Sequence, residues 1–485
     1  MNKVVIDWKP DRNSSESLVY QIIQYIKHKI HKGDWLIGDT LPSQRQMAER
    51  FNVNRSTIVS AISELNAYGI LESLVGKGTF VANNSWSFFI VNDSLNWRQY
   101  IDHSFHKANL PTIQMINKYE FDDSIIRLST GEVSSDLMPY DAFSVVYGKM
   151  AQERVPLNYI EPLGLEELRI ELCKNFKKWN INISPKEILI VSGSLQALQL
   201  IALGLLGRGS RVLVESYSYI KSLQVFEFSG IHMEQVITDN NGPIPWMIKS
   251  DSLKENSSIL YTIPTFHNPT GRTMNQQRRL ELLDWCKKNR LPIIEDDAYR
   301  ELYFDKKPPL PIKSFDDSGN VLYLGTFSKS LAPGMRIGWI VGSEAIIERL
   351  GDIKMQTDYG ASSVSQWMMT YMLSTGLYET HLKKLRTLLK LRCETVLKCL
   401  KNYFSDIASW NNPSGGFYIW LKLNGIIPTE KLFSKLLEEN VLINPGYIYT
   451  HKNSSYIRLS YSYASMKDME KGLIILSKVI RSMIS

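Results

Sequence analysis

Cysteine is scarce in this sequence: four residues, Cys173, Cys286, Cys393 and Cys399, lie scattered without C-x-x-C spacing. That argues against a disulfide framework or a zinc site and leaves reduced core thiols as the expectation. Histidine is nearly as rare, at eight residues. His103 and His106 stand one helical turn apart with no companion ligands, which suits a polar face better than a metal site. No apolar run is long enough to span a bilayer, and the opening M-N-K-V-V-I-D-W-K-P lacks the apolar core of a signal peptide, so the cytoplasm is expected. No internal repeat or low-complexity block occurs, which argues against a repeat architecture. A strong charge excess is also missing. With 56 Lys and Arg against 49 Asp and Glu, net +7, any affinity for nucleic acid must come from where the charges are placed.

What is present is a chain of 485 residues that is 44% apolar, enough for two or three compact units. One stretch organises the reading: L-G-T-F-S-K-S-L-A-P-G-M-R-I-G-W, from Leu324 to Trp339. A lysine in a partly apolar pocket can lose its proton and attack a carbonyl, and Thr326, Ser328 and Arg336 beside Lys329 can hold a phosphate. That is chemistry for an aldehyde cofactor carrying a phosphate.

The amino-terminal unit, residues 1–84, reads as three helices and a hairpin. Val19, Ile22, Ile23, Ile26 and Ile30 recur at helical spacing before Gly33. Ser43 caps a second helix that turns Met47, Ala48 and Phe51 inward. A third, from about Arg55 to Tyr68, buries Ile58, Ala61, Ile62 and Leu65 and exposes Arg55, Ser56, Thr57 and Ser60. Two short helices across a tight turn, the second polar at its start, suit a DNA major groove. Two strands joined by Gly76-Lys77-Gly78 complete a wing whose lysine could reach phosphate. The unit resembles the GntR class of winged helix-turn-helix regulators, through L-P-S-Q-R-Q-M-A-E-R-F, N-R-S-T-I-V-S-A-I-S-E-L and G-K-G-T-F-V. The resemblance implies double-stranded DNA as partner and contacts from Ser43, Arg45, Arg55, Thr57, Lys77 and Gly78. Ser60 stands where many relatives carry a basic residue. With ten Lys and Arg against eight Asp and Glu over 1–84, binding would depend on salt.

Residues 85–118 read as a linker whose Trp97, Tyr100, Ile101 and Phe105 suggest partial packing. From there to residue 485, short apolar runs at 188–191, 211–215, 259–263, 292–295, 321–324 and 337–341 alternate with helical patterns. Alternation of that kind implies an α/β fold with a mostly parallel sheet, whose ligands bind at the carboxyl ends of the strands. Candidate groups fall at those ends: Ser194 and Leu195 at a helix start that could cradle phosphate, Tyr219 to stack on a ring, Asn268 in a turn, and the Glu295-Asp296-Asp297 run before Tyr299. Adjacent strand residues face opposite sides, so one of Asp296 and Asp297 should meet the ring, and the spacing to Tyr299 favours Asp296.

In that order these motifs resemble the fold-type I aminotransferases, with a smaller α+β subdomain. The chain as a whole resembles the MocR subfamily of GntR regulators, which fuse that fold to a winged helix. The resemblance implies pyridoxal phosphate bonded to Lys329, with Asp296 on the ring nitrogen, Asn268 and Tyr299 on the ring oxygen and Tyr219 on the ring face. Ser194, Leu195, Ser328 and Arg336 would hold the phosphate. Tyr159 would reach in from the partner subunit of a homodimer, Arg458 would clamp an effector carboxylate, and Gly131 would close the pocket. Three residues depart from the pattern: Leu195 for glutamine, Val133 for proline and Tyr217 for proline. The expectation is a regulator that senses an amino compound. A working transaminase with an accessory winged helix is the alternative, and a DNA-binding protein whose large unit only dimerises is the third.

Overall fold

The computed structural model describes residues 4, 6–14, 16–32, 34–35, 39–67, 70–74, 78–82, 109–155, 157–253, 258–425, 427–450 and 452–484. The chain divides into two compact units, Met1–Met115 and Ile116–Ser485. Most of the expected linker lies outside the described residues. Of the remainder, Pro111–Tyr119 forms a helix within which the division falls.

In the small unit, α1 (Leu18–Lys32), α2 (Gln44–Phe51) and α3 (Arg55–Ala67) precede the antiparallel hairpin β1 (Leu71–Leu74) and β2 (Gly78–Val81). Ser43 caps α2 in a capping box with Gln46, and Asn52 ends it in a left-handed turn at φ 56°. Ile22, Ile26, Phe51, Ile58, Ile62 and Leu65 form one core, each contributing about 1.5–3 kcal/mol on burial. Residues ahead of Ser14 join it: Val4 is buried, and Trp8 stacks on Tyr25 at 4.8 Å. Lys77 lies outside the described residues.

The large unit is built on a seven-stranded sheet of β3 (Ile188–Val191), β4 (Arg211–Val214), β5 (His232–Gln235), β6 (Ser258–Thr262), β7 (Ile293–Asp296), β8 (Val321–Thr326) and β9 (Gly338–Val341). Their order is β3-β9-β8-β7-β6-β4-β5. Only β9 runs antiparallel to its neighbours, so its amino end meets the carboxyl ends of the others. The apolar runs read from the sequence become strands because both faces are covered. Every residue of β3, β7, β8 and β9 is buried. The edge strand β5, H-M-E-Q, has no such run and no fully buried residue.

One further helix matters below: α4 (Ser194–Gly204), after β3. The smaller subdomain holds an antiparallel sheet of β10 (Ala408–Trp410), β11 (Tyr418–Leu423), β12 (Asn444–Pro445) and β13 (Tyr456–Ser460), ordered β10-β11-β13-β12. It brings Arg458 to the pocket. No helix among the described residues is long and apolar enough to cross a membrane, and none of their His, Cys, Asp and Glu groupings could hold a metal.

Candidate cofactor pocket and nucleic-acid interface

Three consecutive carboxylates end β7, and the period of two sends them to different sides. Glu295 accepts the backbone N–H groups of Ile312 and Lys313, each at 2.8 Å. Asp297 accepts from Arg300 Nε and, at 3.2 Å, from the Tyr323 hydroxyl. Asp296, between them, turns the other way, where the Tyr261 hydroxyl donates to its Oδ2 at 2.8 Å. Burial pushes the Asp296 carboxyl up to about 6, against the Tyr261 hydrogen bond, the Ala298 N–H and the Lys329 charge, which favour the anion.

Lys329 follows β8, half-buried, and its Nζ donates to the Gly131 carbonyl oxygen at 2.5 Å. Beside it, Thr326 Oγ1 accepts the Ser328 N–H at 3.0 Å and lies 2.9 Å from Ser328 Oγ. Arg336 enters β9 at φ 52° and donates from Nη2 to the Ser192 carbonyl at 2.7 Å. Between these sits Gly193 at φ 91°, where a Cβ would stand 2.6 Å from Arg336 Nη2. Gly193 has no side chain to cap α4, so no side chain closes the first turn beginning at Ser194 and Leu195. A helix start without a side-chain cap and with an arginine beside it is of the kind that can hold an anion.

On the opposite wall, Arg458 donates from Nη1 to Asn268 Oδ1 at 2.8 Å and from Nη2 to the Ser129 carbonyl at 2.7 Å. Its guanidinium lies over Tyr418 and Tyr449, 4.2 and 5.3 Å from the ring centroids. Its Nε is buried with no hydrogen-bond partner, a donor left for a ligand. Asn268 Nδ2 donates to the Tyr299 hydroxyl at 3.3 Å, and the Tyr219 N–H donates to the Asn268 carbonyl at 3.2 Å. Burial pushes the Tyr219 phenol up to about 12.

Contacts thus link Lys329, Gly131, Arg458, Asn268, Tyr299 and Tyr219 into one cluster, with Asp296 close enough to feel the Lys329 charge, while Gly193 brings Arg336 against the start of α4 at Ser194 and Leu195. Tyr159 is not among them: it is 83% exposed and meets Tyr359 edge-on at 4.8 Å. Sequence reasoning passed over Tyr261 and Tyr418. Each lies in a strand, where an aromatic reads as ordinary core. The available signal was the phenol itself, because a buried hydroxyl requires a partner.

In the small unit, Ser43 spends its hydroxyl on the α2 cap. Arg45, 87% exposed along its side chain, pairs loosely with Glu49 at 3.5 Å. Arg55 opens α3 in solvent, Thr57 is half-buried, and Gly78 starts β2 at φ 104°. Cationic and small polar groups thus stand at the starts of both α2 and α3, the kind of group that meets a DNA groove and its phosphates.

Residues 18–81 match the bacterial regulatory proteins of the gntR family, and residues 123–474 match aminotransferase class I and II. The HTH-type transcriptional regulator YisV of Bacillus subtilis (strain 168) is 47% identical over 466 residues, 96% of each chain. The kynurenine aminotransferase of Pyrococcus horikoshii, solved with PMP, is 30% identical at a TM-score of 0.73, over 78% of this chain and 96% of that one. LysN of Thermus thermophilus, an alpha-aminoadipate aminotransferase solved with N-(5'-phosphopyridoxyl)-L-leucine, is 27% identical at 0.72, over 80% and 99%.

Proposed function

This chain belongs to the HTH-type transcriptional regulators that join a gntR-type winged helix to an aminotransferase class I and II domain, and from that premise we propose that it senses an amino compound through pyridoxal phosphate. The observation that supports the reading is the grouping of Lys329, the buried Asp296 carboxyl held by Tyr261, and the unpartnered Arg458 Nε, beside the uncapped start of α4.

The residues fit the group. Pyridoxal phosphate supplies an aldehyde carbon that bonds an amine and a ring nitrogen that, once protonated, draws electrons away. Asp296 would hold the proton on that nitrogen, a pairing that offsets the cost of its own burial. Asn268 and Tyr299 would hold the ring oxygen and Tyr219 the ring face. The cradle of Ser194, Leu195, Ser328 and Arg336 would take the phosphate. Arg458 would offer Nε to an effector carboxylate, favouring an amino acid or a related amino compound, with Gly131 closing the pocket near it.

Tyr159, exposed in its own chain, would reach a partner subunit's pocket in a homodimer. Paired winged helices would then meet paired operator half-sites through Ser43, Arg45, Arg55, Thr57, Lys77 and Gly78. Regulation requires the effector to favour one arrangement of that dimer. Residues 1–84 would serve DNA, 85–118 the connection and 119–485 the ligand.

The visible spectrum of the purified protein, taken with added pyridoxal phosphate and a panel of amino acids and amines, tests this reading beside Lys329→Ala. A cofactor band that is absent in the variant, moved by one panel member, and accompanied by a change in operator affinity with that compound is the expected result. No band in the native protein would overturn it. The retention of Lys329, Asp296, Asn268 and Arg458 together favours a second reading, turnover of an amino acid with a 2-oxo acid, which the same panel measures.

A further inference from the structure

Tyr418 opens β11 one residue beyond Gly415-Gly416, with Phe417 between, and packs among the candidate site residues Arg458 and Tyr299. Its ring lies beneath the Arg458 guanidinium at 4.2 Å, and its hydroxyl lies 3.0 Å from that of Tyr299. The Tyr299 oxygen also accepts Asn268 Nδ2 at 3.3 Å.

Each phenol carries one proton. If Tyr299 gave its proton to Tyr418, it would have none left for a ligand. Tyr299 can donate into the pocket only when Tyr418 is the donor between the two. The surroundings favour that direction. Among the hydrogen bonds of the described residues, the Tyr418 hydroxyl has Tyr299 as its partner. Its other flank is closed by Gly131, where a Cβ would stand 2.4 Å from the hydroxyl oxygen. The Arg458 cation over the ring makes Tyr418 a better donor than acceptor.

We infer that Tyr418 is a positioning residue: its hydroxyl donates to Tyr299 and thereby turns the Tyr299 proton toward the ring oxygen of the bound cofactor. This rests on the reading that the pocket binds pyridoxal phosphate. It gives Gly131 a further role, since any side chain there would push the Tyr418 hydroxyl away from Tyr299.

Hydrogen bonds donated to the ring oxygen favour its anionic form, so weakening one raises the pH at which the cofactor's visible band changes. The test is a pH titration of that band in the native holoprotein, Tyr418→Phe, Gly131→Ala and the double variant. Tyr418→Phe keeps the ring beneath Arg458 and removes only the hydroxyl. Its midpoint is expected to rise by roughly 0.1–0.3 pH unit, because the Tyr299 bond to the ring oxygen stays and loses only the polarisation that a donor to Tyr299 adds to it. Gly131→Ala should raise it in the same direction. The double variant should match Tyr418→Phe alone, because the atom with which the new methyl collides is gone.

A band in Tyr418→Phe with an unmoved midpoint would overturn the inference while leaving the pocket's ligand intact. So would effects of the two changes that simply add. If Tyr418→Phe does not yield folded protein, Gly131→Ala decides alone, and an unmoved midpoint there overturns the inference. Absence of a band in the native protein would instead overturn the reading of the pocket, and this inference with it.

Discussion

In the small unit the candidate contact residues stand outside the core: the Arg45 side chain is 87% exposed, and Ser43 and Arg55 also face solvent. In the large unit Asp296, Asn268, Tyr299 and Arg458 are each at most 5% exposed; the last three are joined by hydrogen bonds, and Tyr261 and the Ala298 N–H hold Asp296. One unit keeps its working groups off its core, so they can change without the fold noticing. The other has its candidate groups in its core, so a substitution there reaches stability as well as any recognition. The difference teaches where a substitution separates folding from function and where it cannot.

The sharpest test is Arg458→Ala. It leaves Asn268 Oδ1 and the Ser129 carbonyl without their donor and opens a cavity between Tyr418 and Tyr449. A loss of about 3–5 kcal/mol from the large unit's unfolding transition is expected in chemical denaturation, together with loss of response to carboxylate effectors.

Asp296→Asn should act in the opposite sense on stability. With its carboxyl held near 6 in the fold against an ordinary 3.8, the native state binds this proton more tightly than the unfolded chain does. The group's contribution is therefore full below pH 4 and is lost as pH rises through 6. At pH 8 the cofactor-free protein carries a penalty on the order of 3 kcal/mol. Asparagine can still accept from Tyr261, so the variant should be the more stable cofactor-free protein at pH 8, with no gain at pH 4, while holding cofactor more weakly. Denaturation midpoints at the two pH values check this, and equal differences at both would break the contrast between the units.

Arg55→Ala should cost about 1–3 kcal/mol in operator affinity and leave both melting transitions within about 0.5 kcal/mol of the native values, as titration of labelled operator and calorimetry would read. Ser43→Ala is the case most able to blur the comparison. It is exposed, yet its hydroxyl caps α2, so about 1 kcal/mol of small-unit stability should go with it. A change in DNA affinity with no change in melting would return Ser43 to the purely recognitional set.

The sequence made the sheet legible wherever a strand is covered on both faces, because burial writes a continuous apolar run. It left β5 unread, since its exposed and half-buried residues write no such run, and β10 and β12, which at three and two residues are too short to show a period. Strands β11 and β13, six and five residues long, also went unread, their apolar residues being interrupted by Lys422 and Arg458. The pocket's charged members were readable from residue type and place: a lysine after a strand, an acid at a strand end, an arginine in Y-I-R-L-S-Y. Choosing between Asp296 and Asp297 needed the observed partners, Tyr261 for one and Arg300 for the other. The phenols stayed hidden for a related reason. Tyr261 meets Asp296 across 35 positions and Tyr418 meets Tyr299 across 119, separations that no local spacing reveals.

The reversal of β9 reaches beyond topology. Because the chain comes straight back along β8 instead of crossing the sheet, Lys329 and Arg336 return to the same end of it, and the Phe327 N–H to Ile337 carbonyl bond at 3.0 Å ties together the two ends of the segment that carries them. A short tied segment tends to open as a single cooperative patch. A ligand gripped by both residues would therefore be let go in one local opening, and amide hydrogen exchange across 327–337 should slow as a block when the pocket is filled.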